Sequence, residues 1–230
     1  DVDRSRGLGD VYKRQATMIV GMGFAQADAV AAVSADYPDI KFVAVDVCWL
    51  DDPNNNIYQA CYKEHEGSFL VGMMAAMASK SGTIGFVGGM DIPLIRKFQG
   101  GYEQGAQYVN PDISVIANMT GTTNEAWNNP TKGAELTKAQ IDGGADVVYQ
   151  AAGGTGIGVL QAAADAGIMG IGVDSNQNWM HPGNMLTSML KRLDLTIFEQ
   201  AKNVESGRFE SGINILGPVS YTHLTLPTNA

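Results

Sequence analysis

The sequence predicts an α/β protein built on doubly wound parallel sheets. Short apolar segments alternate with amphipathic segments between residues 16 and 217, and glycine-rich or polar loops follow the apolar segments. This alternation is typical of a parallel sheet that is covered by helices on both faces. With 230 residues, 45% of them hydrophobic, the chain is long enough to form one large domain or two small ones.

Seven strands are predicted, because each segment is a short apolar run bounded by turn residues. They cover residues 18–21, 41–46, 83–87, 114–119, 147–150, 170–173 and 185–189. Helices are predicted in the gaps, where several segments end at glycine or are followed by proline. Their sequences are AQADAVAAVSADYPD, HEGSFLVGMMAAMAS, PLIRKFQGGYEQGAQYV, PTKGAELTKAQIDGG and TGIGVLQAAADAG.

The charge balance and the apolar runs exclude two classes of partner. The chain has 15 Lys and Arg against 24 Asp and Glu, a formal net charge of −9. A nucleic-acid surface needs clustered basic residues that replace the counterions of phosphates, so no nucleic-acid partner is expected. The run FLVGMMAAMAS is far shorter than the roughly 20 residues of a membrane span. No transmembrane helix is predicted.

The two ends of the chain are interpreted as translated linker DNA. The segment DVYKRQ, residues 10–15, is one translation of an oligonucleotide whose complementary strand, in another frame, encodes residues 218–224. We therefore expect residues 1–15 and 218–230 to lie outside the evolved protein. Because residue 16 directly precedes a predicted strand, the natural N-terminus and any secretion signal are expected to be missing.

The loops after the predicted strands carry the candidate site. They read GMGFAQAD, GGMDIP, MTGTTNEAW, AAGGTGIG and DSNQN. Glycine lets backbone N–H groups approach a ligand, and Asp91 and Asp174 add acceptors for paired hydroxyl groups, which is a chemistry for sugars. Any one of these residues is more simply explained by a turn or a helix cap. Together, the loops favour a ligand-binding edge of a parallel sheet.

Enzyme and cofactor motifs are incomplete. The segment GGTGIG, residues 153–158, misses the spacing of a dinucleotide loop and has no lysine for a phosphate loop. The S-x-x-K match at residues 188–191 lacks the accompanying K-T-G and S-D-N motifs. His65 and His181 have no partner at metal-binding spacing. The sequence therefore predicts no enzyme, no catalytic residue, no metal and no cofactor.

The two cysteines leave two alternatives open. Cys48 and Cys61 form a disulfide if the protein is exported, but two buried free thiols explain the sequence equally well.

Four motifs together carry a family resemblance. The segments TIGFVGGMDIPLIRKFQGGYEQGA, GADVVYQAAGGTGIGVLQAAADAG, IGVDSNQN and LTSMLKRLD resemble the basic membrane lipoprotein family, the nucleoside-binding receptors of bacterial ABC importers. The resemblance covers nearly all of residues 16–207. It implies a type I periplasmic-binding-protein fold, in which two α/β lobes are joined by a hinge and hold the ligand in a cleft without a catalytic step.

The resemblance also implies lobe boundaries and ligand contacts. Residues 16–81 and 190–217 would form an incomplete first lobe, and residues 82–189 the second. Asp91 would bind the nucleobase, while Asp174 accepts from the ribose hydroxyls and Lys191 donates to them. The base contact after the fifth strand falls on Gln150 or Tyr149. The implied ligand-binding residues are Phe24, Asp91, Gln150, Gly153, Gly154, Asp174 and Lys191.

The family implies two partners, a nucleoside ligand, most simply a purine nucleoside, and the subunits of an ABC permease. It also implies a location in the periplasm or at the outer face of the bacterial cell membrane, through a lipid anchor that these residues do not include. The strand and loop that supply an aspartate and a Phe/Asn pair in relatives would lie before residue 16. Trp127 either stacks on a base or packs against the hinge.

Two alternatives to a nucleoside receptor remain at this point: a sugar receptor of the same fold, and the ligand-sensing domain of a cytoplasmic transcriptional regulator.

Overall fold

The computed structural model describes residues 16–218 and 222–225. Contacts divide the chain into two units. Of the described residues, the first unit contains 16–62 and Leu193–Leu216, and the second unit contains Lys63–Arg192 together with residues 217, 218 and 222–225. No helix among the described residues is both long and apolar enough to cross a membrane.

The first unit contains a four-stranded parallel sheet in the order β1-β2-β3-β9. Apolar residues of β2 and β3 are buried on both faces of the sheet, so these central strands are continuous hydrophobic runs. Phe42, Ala44 and Ile57 form its core together with Val30 of α1. The elements are β1 (Met18–Met22), α1 (Ala27–Asp36), β2 (Lys41–Val45), β3 (Ile57–Tyr62), α6 (Leu193–Glu205) and β9 (Gly212–Leu216).

The second unit contains a six-stranded sheet in the order β10-β8-β7-β6-β4-β5. Its first five strands along the chain pair in parallel, and β10 pairs antiparallel with β8. The strands are β4 (Thr83–Met90), β5 (Ser114–Gly121), β6 (Val147–Ala151), β7 (Met169–Asp174), β8 (Met185–Lys191) and β10 (Thr222–Leu224). The helices are α2 (Glu64–Ala78), α3 (Pro93–Val109), α4 (Pro130–Asp142) and α5 (Gly156–Asp165).

Helices cover both faces of this second sheet. On one face, Phe86, Tyr102 and Tyr149 form an aromatic cluster, with ring centroids 5.2–6.2 Å apart, under α2 and α3. On the other face, Val87 and Val148 pack against Val159 of α5. The sequence prediction of parallel sheets covered by helices is confirmed.

The boundary between the units differs from the one implied by the family resemblance near Ser81. Helix α2 belongs to the second unit because it packs closely on α3. A Cβ atom on Gly101 or Gly105 of α3 would collide with the backbone carbonyls of His65 and Phe69 in α2. Glycine at these contacts therefore lets the two helix backbones approach and ties α2 to the second sheet.

Three strands and one helix were not predicted from the sequence. Strand β3 lies in the segment that holds both cysteines, and its fully buried sequence IYQACY shows no alternation of apolar and polar residues. Helix α6 and strand β9 follow the last predicted strand, and β10 lies within residues 218–230, the segment interpreted as linker. The other linker segment, residues 1–15, lies outside the described residues.

The two cysteines form a disulfide within the first unit. Cys48 follows β2 and Cys61 lies in β3, and their Cα atoms are 5.8 Å apart, within the usual range for a bridge. Of the two alternatives left open by the sequence, the structure has the disulfide.

Candidate ligand-binding site

The carboxyl ends of four parallel strands in the second unit bring most of the predicted site residues to one edge of the sheet. Asp91 follows β4, Gly153 and Gly154 follow β6, and Asp174 and Lys191 are the last residues of β7 and β8. Since these strands are neighbours in the order β8-β7-β6-β4, the residues after them share one edge. In open α/β sheets, this is the edge at which ligands bind.

Asp91 is tied to the helix that follows it. Both of its carboxylate oxygens accept hydrogen bonds from Arg96: Nε donates to Oδ1 and Nη2 donates to Oδ2, each at 2.6 Å. The hydrogen bonds from Arg96 hold the pKa of Asp91 below its usual value. The carboxylate is solvent-exposed and stays ionised, so it can act only as an acceptor.

Asp174 ends β7 in an unusual backbone conformation. Its φ of 63° lies in the left-handed region, which aspartate tolerates better than most side chains. Residues held in this region are often part of a functional site. The register of β7 and β8 pairs Asp174 with Leu190, one residue before Lys191. An exposed carboxylate and a buried lysine therefore stand at the carboxyl ends of two neighbouring strands.

Lys191 is buried, with 3% of its side chain exposed. Its Nζ lies 3.6 Å from Oε1 of Glu64 and 5.7 Å from the centre of the Phe98 ring. Glu64 is the first residue of α2, and its other oxygen, Oε2, lies 3.8 Å from Nζ of Lys97. The sequence analysis missed Glu64, because the segment KEHEG resembles an ordinary charged helix start.

The side chains of Gln150 and Tyr149, the two alternatives for a base contact, lie in different surroundings. Tyr149 is fully buried in the aromatic cluster, and its hydroxyl lies 3.3 Å from the Ser68 hydroxyl. Burial raises the pKa of Tyr149, so the phenol stays neutral. Gln150 is also fully buried, but its amide bonds within the loops: Nε2 donates to Gln177 and Oε1 accepts from the amide of Ala152. Gln150 thus supports the turn that leads to Gly153.

Trp127 packs over the glycines at the ends of β4 and β6. A Cβ atom on Gly89 would collide with the Trp127 ring, and one on Gly153 would lie 3.6 Å from its Cε3 atom. Gly153 itself has a φ of 57°, which also favours glycine. The indole is partly buried against the core of the second unit.

Phe24 lies in the first unit, apart from the residues above in the contact division. It opens a short 3₁₀ helix, Phe24–Gln26, directly after β1. The turn is held by the amide of Gly23, which donates to the carbonyl of Val45 at the end of β2. Phe24 therefore occupies the carboxyl edge of the first sheet.

Among residues 16–218 and 222–225, no group of three or more His, Cys, Asp and Glu residues is arranged to hold a metal ion. Two of the acidic residues near the edge of the second sheet are paired with basic residues, Asp91 with Arg96 and Glu64 with Lys97 and Lys191.

Comparison with known proteins decides the family. The family model for "ABC transporter substrate-binding protein PnrA-like" matches residues 1–218. The chain belongs to this family. The resemblance to basic membrane lipoproteins that the four sequence motifs indicated is thus confirmed.

Two similar proteins are named as a basic membrane protein and as a nucleoside-binding protein of an ABC transporter. The chain is 33% identical over 196 residues to basic membrane protein A2 of Borrelia garinii subsp. bavariensis, a match that covers 83% of this chain and 57% of the relative. It is 32% identical over 213 residues to the "ABC transporter nucleoside-binding protein BmpA" of Lactococcus lactis subsp. cremoris, covering 85% and 59%. The chain spans a little over half the length of these relatives.

Solved structures confirm the fold of an ABC substrate-binding protein. A solute-binding protein of an ABC transporter system from Aeropyrum pernix K1 superposes with a TM-score of 0.85 at 28% identity, over 98% of this chain and 65% of that one. A periplasmic ribose ABC transporter protein from Conexibacter woesei superposes with a TM-score of 0.66 at 15% identity, over 96% of this chain and 76% of that one, which shows the fold alone.

Proposed function

We propose that this substrate-binding protein captures nucleosides, most simply purine nucleosides, at the carboxyl edge of the second sheet and delivers them to an ABC permease. Capture needs no catalytic step: the ligand is held by hydrogen bonds and is released unchanged. The proposal gives separate roles to the residues that recognise the sugar and to those that recognise the base.

The observation that carries the proposal is the pairing of Asp174 with the end of β8. The register sets Asp174 opposite Leu190, so a carboxylate and the lysine that follows Leu190 stand at the ends of neighbouring strands. A carboxylate accepts hydrogen bonds from two adjacent hydroxyl groups, and an ammonium donates to their oxygens. The vicinal 2′ and 3′ hydroxyls of a ribose offer both. Asp174 and Lys191 are therefore assigned to the ribose.

The base is assigned to the end of β4. Asp91 is an ionised acceptor, which suits the N–H donors of a nucleobase. Trp127 lies over Gly89, two residues before Asp91, and a flat aromatic ring favours a flat ligand through stacking. Gly153 and Gly154 bring the backbone close to the same region without side chains. Gln150 supports their turn through its hydrogen bond with the amide of Ala152.

The named relative supports a nucleoside over other solutes. The protein from Lactococcus lactis is called nucleoside-binding, and it is 32% identical to this chain over 85% of its length. Proteins of the family serve ABC importers, so the partner is the permease and the place of action is outside the cytoplasmic membrane. The disulfide between Cys48 and Cys61 suits an oxidising compartment of this kind.

A sugar receptor is the second candidate, because ribose alone would satisfy Asp174 and Lys191. The likeness to a periplasmic ribose ABC transporter protein is one of fold and carries no substrate. The same holds for the likeness to the Cra regulator of Pseudomonas putida, which is 16% identical and represents the cytoplasmic sensor alternative. Asp91 and Trp127 distinguish the candidates, since a free sugar leaves both without a role.

The test is a calorimetric titration of the protein with adenosine, guanosine, uridine, ribose and galactose. Submicromolar binding of a nucleoside, with ribose inactive at the same concentration, is the expected result. Tight binding of a free sugar, with no nucleoside bound, would mean that the substrate is a sugar and not a nucleoside. If no compound of the panel bound, the nucleoside proposal would be wrong.

A further inference from the structure

We infer that Glu64 is a positioning residue that holds the Lys191 ammonium in place at the ligand-binding edge of the second unit. The inference rests on the proposed function for its effect on the ligand, but its structural part, the coupling of Glu64 to Lys191, is independent of which ligand binds. Neither the family comparison nor the sequence motifs assign a role to Glu64.

The contact is between two charges that are both out of water. The side chain of Glu64 is 1% exposed and that of Lys191 is 3% exposed, with Oε1 and Nζ 3.6 Å apart. Burial disfavours a charged lysine, and a nearby carboxylate restores it. Without Glu64, the buried ammonium would lose this carboxylate and would be held less firmly. Glu64 therefore helps to hold Lys191 in place.

The position of Glu64 in the fold makes it a fixed support. It is the first residue of α2, where the partial positive charge of a helix N-terminus favours a carboxylate. Helix α2 is packed tightly on α3, where Gly101 and Gly105 allow backbone contact. A carboxylate on this rigid element has little freedom to follow a displaced lysine. The position of the Glu64 carboxylate therefore fixes the position of the Lys191 ammonium, which is the donor assigned to the ligand.

Two further side chains lie close to Glu64 and Lys191. Phe98 of α3 lies under the ammonium, with its ring centre 5.7 Å from Nζ, an arrangement in which the ring face attracts a cation. Lys97 lies 3.8 Å from the second oxygen of Glu64, but half of its side chain is exposed. Water screens an exposed charge, so Lys97 contributes less to the pair than Lys191 does.

The variant Glu64→Gln removes the charge and keeps the shape of the side chain. Glu66→Gln is its matched control, because Glu66 lies in the same first turn of α2 and pairs with Lys63 at 2.8 Å, but both side chains are about 40% exposed. Each variant is titrated with adenosine and with 2′,3′-dideoxyadenosine, or with the corresponding pair for the tightest-binding nucleoside of the panel. The dideoxy compound lacks the hydroxyls assigned to Lys191.

We expect Glu64→Gln to weaken binding of the ribonucleoside about tenfold and binding of the dideoxy compound much less, since one charged hydrogen bond has this magnitude. Glu66→Gln should leave both affinities unchanged. Equal losses for the two ligands, or no loss for either, would overturn the positioning role. A purely structural defect would weaken both ligands to the same extent.

A double-mutant cycle tests the pair without any ligand. Thermal unfolding is measured for the wild type, Glu64→Gln, Lys191→Met and the double variant. Each single variant should lower the Tm, and the double variant should be more stable than the sum of the two losses predicts, because the Glu64–Lys191 contact can be lost only once. Additive losses would overturn the inference. If coupling is found but the wild type binds no compound of the panel, the proposed function fails and the pair stands.

Discussion

Arg96 grips Asp91 with two parallel hydrogen bonds, from Nε to Oδ1 and from Nη2 to Oδ2, each at 2.6 Å. Nη1 of the same guanidinium donates to Oε1 of Gln99 at 2.6 Å. The Asp91 carboxylate is thus already bound to the start of α3, at the edge of the sheet to which the base is assigned. A ligand that uses Asp91 must share the carboxylate with Arg96 or displace it.

This competition gives opposite signs for two variants. Asp91→Ala should weaken nucleoside binding about tenfold, because it removes a charged acceptor. Arg96→Gln should strengthen binding, since it frees the carboxylate for the base. Gln99→Ala is the control, because it removes the other partner of Arg96 and leaves the pair with Asp91 intact. Calorimetric titration measures all three, and an unchanged affinity of Asp91→Ala would remove Asp91 from the site.

Substitutions of Asp174 separate the role of its carboxylate from the strain of its backbone. Asp174→Ala should weaken nucleoside binding by about 2 kcal/mol or more, the magnitude of hydrogen bonds to a charged group. Asp174→Gly should lose as much affinity but unfold at a higher temperature than the alanine variant, because glycine adopts a φ of 63° without strain. If both variants bound nucleoside with wild-type affinity, the assignment of Asp174 to the ribose would be wrong.

Trp127 offers a direct signal for the base. If it stacks on the ligand, nucleosides should quench its fluorescence, whereas ribose should not. Trp49 and Trp179 are 61% and 75% exposed and supply the background emission. Trp127→Phe should remove the ligand-dependent part of the signal and keep most of the affinity. A signal that persists in this variant would mean that the indole of Trp127 only packs on Gly89.

Asp146 ties the start of β6 to the segment that leads into β4. It accepts from the Ser79 hydroxyl at 2.6 Å and from the amides of Lys80 and Ser81 at 2.6 and 2.8 Å. Burial raises the pKa of Asp146, but these hydrogen bonds together outweigh it and leave the pKa below its usual value.

The stability that Asp146 contributes therefore depends on pH in a defined direction. A carboxyl group whose pKa is lower in the folded than in the unfolded state stabilises the protein fully above the unfolded value, which is 3.8 for Asp146. This contribution is lost as the pH falls through the folded value. Asp146→Asn should lower the Tm at pH 7, and this effect should shrink as the pH is lowered below 3.8. Asp142→Asn, at an exposed position on α4, should change the Tm little at either pH.

Reduction of the disulfide should destabilise the first unit. Cys48 and Cys61 are 13 residues apart, and closing a loop of this length stabilises a fold by about 3 kcal/mol. The variant Cys48→Ala/Cys61→Ala should unfold at a lower temperature than the oxidised wild type, and a reducing agent should lower the Tm of the wild type alone. A wild type that is insensitive to reductant would argue that the bridge contributes little.

The sheet edges could be predicted because they depend on local patterns. Each of the seven predicted strands is an apolar run next to a turn, and Asp91 and Asp174 lie in the turns that follow two of these runs. Strand β3 was missed for the opposite reason. Its residues Ile57–Tyr62 are all buried, so polar Gln59 stands inside the core without an alternating pattern. Its side-chain amide is satisfied by the backbone of Leu50, nine residues away.

The supports of the site depend on contacts between residues that are distant in the sequence. Glu64 and Lys191 are separated by more than 120 positions, and only the packing of α2 beside the end of β8 brings them within 3.6 Å. Nothing in the segment KEHEG marks Glu64 as buried while Glu66 is partly exposed. Arg96 is closer to Asp91 in the sequence, but its bidentate contact depends on how α3 leaves the sheet.

The sequence by itself determined the fold class and the edge of the sheet at which Asp91 and Asp174 stand, because hydrophobic periodicity and turn chemistry are local properties of the chain. It determined the family, and with it the choice of Lys191, through the resemblance of four motifs. Only the tertiary structure decided that Arg96 holds Asp91, that Glu64 is buried against Lys191, that Tyr149 points into the core and that the cysteines are bridged. These features depend on the burial and distance of side chains, which are set when separate elements pack together.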